Sequence, residues 1–236
     1  MKFPSRLLGA QVWLAALVWA GFVVVVAVIG TGVAFFGTLD GSAWEAAAMV
    51  PRWYALFIGV ALVREFLPLY IAHGQTRRQF GAHAAVTVSL FAPFLAILLV
   101  AGYLLELLIY RMAGLDPSLS NTHLFAESTQ IHLVFLEYLI RFLAWTVAGA
   151  LLGAAFYRWE GGGLLSLPVG IAMIIVGEEA VGFDPLPRFI GRVTNINLDI
   201  PDSLGFTLGA GFGVFILGLA LTWLIIRDTP LRNMPE

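Results

Sequence analysis

Long apolar runs alternate with short polar joints along this chain. The runs cover approximately residues 13–36, 51–71, 84–110, 131–157, 163–177 and 204–226. A helix that crosses a bilayer needs about 20 apolar residues. The run at 163–177 is the shortest and carries Pro168, so it reads as a short tilted span or as a broken helix continuing past Glu178. The pattern predicts an all-α integral membrane protein: a bundle of six transmembrane helices forming a single transmembrane domain over 1–236. The first run follows Met1-Lys-Phe-Pro-Ser-Arg6. It is near twice the roughly 7–15 residues of a signal-peptide core, so it is expected to stay as the first membrane helix.

The joints are unequal. Residues 72–82 and the stretch around Arg158-Trp159-Glu160-Gly161-Gly162-Gly163 are short, whereas 37–50, 111–130 and 178–203 are longer. The last mixes Pro185, Pro187 and Pro201 with apolar Phe183, Leu186, Phe189 and Ile190. Apolar content without spanning length predicts short interfacial or re-entrant helices before the last span. No stretch has the length of a separate soluble domain, and no internal repeat is visible.

Composition fixes the class: 60% of residues are hydrophobic and 12% charged, against roughly a quarter charged in soluble domains. A net charge of -2 without a basic tail gives no reason to expect nucleic acid. Cysteine is absent, which excludes disulfides, thiolate catalysis and cysteine metal sites. The four histidines form no His-x-x-x-His pair, so no metal site is expected. Gly-x-x-x-x-Gly-Lys-Ser/Thr, Gly-x-Ser-x-Gly and His-Glu-x-x-His are also missing. No catalytic residue is assigned, and the chain is not expected to be an enzyme.

Lys and Arg concentrate on the cytoplasmic side of membrane proteins. With the N-terminus inside, that side holds Lys2, Arg6, Arg77, Arg78, Arg158, Arg227 and Arg232, and the outer side Arg52, Arg111, Arg188 and Arg192. Both termini are therefore expected to be cytoplasmic. Trp13, Trp44, Trp53, Tyr110, Trp159 and Trp223 fall near the run boundaries, as interfacial aromatics do.

Charges inside apolar runs are costly and mark candidate sites. Glu137 and Arg141, four apart on the fourth run, share a helix face and can pair. They read either as an ion pair fixing the bundle or as the lining of a substrate path. Arg64 and Glu65 can snorkel to the cytoplasmic face, and Glu106 lies where it can reach the outer interface. Glu178 and Glu179, beside a polar loop, read as solvated, or as a proton or cation site. Gly149 and Gly153, and Gly205, Gly209 and Gly213, repeat at intervals of four. Small residues at that interval let helices approach closely, within one subunit or between two.

The joint at 72–81 is the most polar surface between two long runs. Its Gly74-Gln75-Thr76-Arg77-Arg78-Gln79-Phe80 resembles the Gly-x-Thr-Arg-Arg-x-Phe segment of small bacterial ABC transporter permeases, the exporter permeases of the second type with the type V fold. The resemblance extends to the six-helix plan and the long segment before the last helix. It implies a permease subunit in the bacterial cytoplasmic membrane, coupled through His73, Gly74, Gln75, Thr76, Arg77, Arg78, Gln79 and Phe80 to a separate ATPase subunit. It further implies a second permease subunit, identical or sister, with ATP and Mg on the ATPase and no cofactor in this chain. In that setting Arg77 and Arg78 would bond the partner, Phe80 would fill an apolar pocket in it, and Gly74 would allow the turn. The competing class is a membrane scaffold or immunity protein without transport.

Overall fold

The computed structural model describes residues 5–36, 41–114, 118–182 and 203–230. They form α1 (Ser5–Phe36), α2 (Ala43–Ala47), α3 (Met49–Arg64), α4 (Phe66–Ala72), α5 (Arg77–Ala113) and α6 (Ile131–Trp159). A 3-10 segment (Glu160–Ser166), α7 (Leu167–Glu179) and α8 (Leu204–Ile226) follow, with no strand among the described residues.

Among the described residues, five stretches are long and apolar enough to cross a membrane: Gln11–Gly32, Ala43–Ala72, Arg77–Ala113, Ile131–Glu179 and Leu204–Ile226. The run at 163–177 does not form a long helix of its own. Three consecutive glycines, Gly161 to Gly163, start it as a 3-10 turn, and only 13 residues follow as α7. That is about 20 Å of helix, short of the roughly 30 Å of a bilayer core. The interfacial or re-entrant helices expected before the last span fall mainly on residues 183–202, outside the described residues.

Local sequence sets the breaks. Pro68 has no N–H to offer the carbonyl of Arg64, and the helical run from Met49 is interrupted at Glu65. Gly74 adopts φ 75°, a left-handed turn that suits glycine; its N–H reaches Ile71 O at 2.9 Å and ends α4. Two residues later Thr76 starts α5 with a capping box. Its hydroxyl accepts from Gln79 N, and Gln79 Oε1 accepts from Thr76 N at 2.9 Å. α5 then runs 37 residues through Pro93 to a second left-handed glycine, Gly114.

The bundle is organised on α6. Every residue from Ile140 to Leu151 is buried, and a helix apolar all round belongs at the centre of a bundle. α3 lies against it in the same direction, because Gly149 meets Leu56 and Gly153 meets Val60. A Cβ on Gly153 would come 2.6 Å from the Val60 carbonyl oxygen, so the contact is backbone to backbone. α8 also runs parallel to α6, Gly211 facing Ile140 and Gly218 facing Val147. The 3-10 segment and α7 return antiparallel, with Gly163 at Phe156, Gly170 at Leu152 and Gly177 at Ala144. α1 is peripheral: Trp13 is 73% and Val28 66% exposed, while Trp19 and Phe22 pack on Trp44 of α2.

Candidate functional site

The two ends of the bundle differ in chemistry. One carries 73–76, 158–166 and 227–230; the other carries 41–48, 118–130 and 178–182. At the second end, four helices and a loop bring five charged side chains and one histidine into a continuous buried chain.

Glu178 sits at its centre. Arg52 NH1, from the first turn of α3, lies 3.2 Å from both carboxylate oxygens. Trp145 Nε1 of α6 donates to Oε1 at 2.8 Å. Arg141 Nε is 3.0 Å from Oε2, close enough for an ion pair but not aligned as a hydrogen bond. Arg141 NH1 also reaches Glu137 Oε1 at 2.7 Å, one turn back on α6. Glu137 accepts from Leu124 N at 2.9 Å and lies 2.7 Å from His123 Nδ1. The other ring nitrogen of His123 is 3.3 Å from Glu45 of α2. Glu45 in turn accepts from Ser120 N at 2.7 Å and Asn121 N at 2.8 Å. A protonated imidazole donates to both neighbouring carboxylates, a neutral one to a single carboxylate.

Burial makes this arrangement consequential. Glu137 is 0% exposed, Arg141 2% and Glu178 4%. Ions this buried are tolerated only when paired and hydrogen-bonded, and each carboxylate here has at least two partners. The guanidinium of Arg141 also lies 5.4 Å from the Tyr138 ring, whose hydroxyl is 2.8 Å from that of Tyr103. The chain can hold α2, α3, α6, α7 and the 118–130 loop in one register. Among the described residues, no group of acidic or histidine side chains is arranged to hold a metal ion.

Of these residues, sequence spacing finds only Glu137 and Arg141. Glu178 is not solvated, because α7 folds back along α6 and delivers it to two arginines. Arg52 is not a loop charge; it is built into α3 and 8% exposed. Glu106 is buried rather than free at a surface: it accepts from Ser42 Oγ at 2.6 Å and Trp44 N at 2.9 Å, tying α5 to α2. His123 carries no signal in sequence, because its two partners are 78 and 14 residues away (123 − 45 and 137 − 123). Arg64 and Glu65 are exposed at the α3–α4 break, apart from the network.

The opposite end holds the Gly74–Phe80 segment, and most of it serves the fold. Gly74, Thr76 and Gln79 turn and cap the chain as described. Arg77 Nε donates to Thr229 O at 3.0 Å, and Arg158 NH1 to Ile225 O at 2.9 Å. Arg158 thus satisfies a carbonyl in the last turn of α8, where the helix dipole favours a cation, and Arg77 one just beyond that end. Phe80 is 0% exposed, packed with Val63, Leu67, Ala150, Ala154 and Ile226. This corrects its expected role as an anchor in a partner's pocket: its own bundle already fills that function. His73, Gly74, Thr76, Arg78 and Gln79 are exposed, and Gln75 half-buried.

The packing glycines divide. Gly149 and Gly153 touch the backbone of α3, whereas Gly205, Gly209 and Gly213 have no atom within 4 Å of a built Cβ. Gly211 and Gly218 make the α6 contacts instead.

No protein-family model, no curated protein and no solved structure matches this chain.

Proposed function

We propose that this chain is the membrane-spanning permease subunit of an ATP-binding cassette exporter in the bacterial cytoplasmic membrane. In this reading both termini are cytoplasmic, a second permease chain completes the pathway, and a separate ATPase subunit docks at the 73–79 corner. ATP and Mg belong to that partner.

The observation that carries the reading is how this corner is tied down. Its backbone is continuous with α4 and α5, Arg77 bonds the end of α8, and Phe80 is packed against α3, α4, α6 and α8. A push on the five exposed residues of this corner is therefore delivered to five helices. A chain without a phosphate-binding loop needs such a surface to receive work from ATP hydrolysis elsewhere. The burial of Arg52 also sharpens the charge asymmetry that supports cytoplasmic termini, because it removes one of four outer cations from the loops.

The test is co-expression with candidate ATP-binding cassette ATPases of the same genome, beginning with any encoded beside this gene. Wild type should co-purify with it and alter its ATPase rate. His73→Glu/Arg78→Glu places negative charge on two exposed positions, and should abolish both effects while the melting temperature holds. A double variant that binds and regulates like wild type would remove this corner from coupling. Absence of any complex with the wild-type chain would instead favour the scaffold or immunity reading.

A further inference from the structure

A cavity of about 420 Å³ opens between α5 and α8, at the end of the bundle that carries Arg78. Its walls are apolar, and small side chains create the space: Ala84 and Ala85 on α5, Ala150 on α6 and Ala220 on α8. Ala82 and Ala220 are exposed at its rim, so it opens sideways, onto the surface that faces lipid in a membrane. From Arg78 to Val88 the lining covers ten steps of α5, about 15 Å. That equals one leaflet, half of a hydrocarbon core of about 30 Å.

Two polar features stand at the Arg78 end. Arg78 is exposed and has no ion pair among the described residues. Thr222, one turn deeper, is 8% exposed and lines the cavity, yet its hydroxyl has no hydrogen-bond partner. A threonine on a helix can bond a carbonyl one turn back, as Thr146 does with Phe142 O at 2.6 Å. Burying a hydroxyl without a partner is costly, and an acceptor in the cavity would remove that cost.

We propose that this cavity holds one acyl chain of an anionic phospholipid. The phosphate lies on Arg78, an ester carbonyl accepts from Thr222, and the chain runs inward between the alanines of α5 and α8 towards Val88. The order of groups along the cavity, cation, hydroxyl, then apolar slot, is the order of groups along the lipid. A guanidinium favours phosphate through paired, charge-assisted hydrogen bonds, and the slot excludes ligands without a long apolar tail. The inference rests on the membrane-spanning reading of the chain and not on any ATPase.

The isolated chain, purified in neutral detergent, should be mixed with micelles of phosphatidylglycerol or phosphatidylcholine. Retained lipid is then counted by native mass spectrometry. Wild type should hold one phosphatidylglycerol per chain and at least fivefold less phosphatidylcholine. Arg78→Gln should erase that preference, Thr222→Val should weaken retention of both lipids, and Ala220→Leu, which fills the slot from its exposed rim, should abolish retention. Melting temperatures identify any variant that fails through misfolding, and Ala85→Leu supplies an independent filling of the slot. Retention unchanged in both alanine variants would place bound lipid elsewhere and overturn the proposal. So would release of the lipid by millimolar inorganic phosphate, which would assign Arg78 to a soluble anion. A chain that keeps no lipid but turns from dimer to monomer on Ala220→Leu would assign the groove to a second copy.

Discussion

Glu178→Gln is the substitution with the most to reveal, because one carboxylate serves Arg52, Arg141 and Trp145 together. The amide keeps the volume and removes the charge, leaving two guanidiniums crowded around a neutral group inside the bundle. Breaking a buried pair from one side costs about 3–5 kcal/mol. For a chain of this size each kcal/mol moves the melting temperature by roughly 2–4 °C, so a fall of about 6–20 °C is expected. Thermal unfolding in mild detergent, followed by tryptophan fluorescence, measures it. Asp228→Asn provides the contrast: its pair with Arg227 at 2.9 Å is 51% and 62% exposed, and such surface pairs contribute about 0–1 kcal/mol. Removing one stranded cation as well, in Glu178→Gln/Arg52→Met, should recover part of the loss. If Glu178→Gln melts like Asp228→Asn, or the double variant melts no higher than the single, these charges do not hold the bundle together.

Two further outcomes follow from the packing. Gly149→Leu drives a side chain into the Leu56 carbonyl of α3 and should sharply reduce folded yield in detergent, whereas Gly209→Leu, on the open face of α8, should fold and melt as wild type. Phe80→Ala empties a fully buried site, for which about 3–5 kcal/mol is expected. It should lower the melting temperature of the isolated chain with no partner present, a readout that a purely docking residue would leave unmoved.

Sequence pattern placed α3 with α4, α6 and α8 to within two residues, because length and hydropathy alone decide whether a helix can span; α1 and α5 begin eight and seven residues before their apolar runs, in polar first turns that hydropathy does not mark. It read the 163–177 run as a helix and could not see that three glycines would spend its first turns in a 3-10 geometry. Charge pairing was legible only where spacing is local. Glu137 and Arg141 are four apart, but Glu178 reaches Arg52 across 126 residues, and no periodicity encodes that meeting. The Gly74–Phe80 segment shows the converse. A motif read for its docking contains a helix stop, a capping box, a tie to the carbonyl just past a distant helix and a core phenylalanine. Five of its seven residues are thus committed to turns, caps or packing within the chain, which only the folded contacts, invisible in sequence, distinguish from docking.

The two ends of the molecule are joined through α6, and this limits how the bundle could rearrange. Arg141 at one end and Ala154 against Phe80 at the other are 13 residues apart on that helix, about 20 Å. Between them Gly149 and Gly153 seat α6 on the backbone of α3, with no long side chains at the contact to slide or swap rotamers. Arg52 from α3 and Arg141 from α6 then grip the same carboxylate on α7. These three helices therefore behave as one body, since separating any of them strands a buried ion. α8 is tied to that body at its C-terminus by Arg158 of α6, and to the start of α5 by Arg77, with the cavity opening between α5 and α8 beyond that tie. α1 touches the rest mainly through apolar and aromatic contacts. Sliding apolar surfaces costs far less than unpairing buried charges. The seams along which this protein can move are accordingly the α1 contact and the α5–α8 groove, and a force applied at 73–79 arrives at the second of these through Arg77.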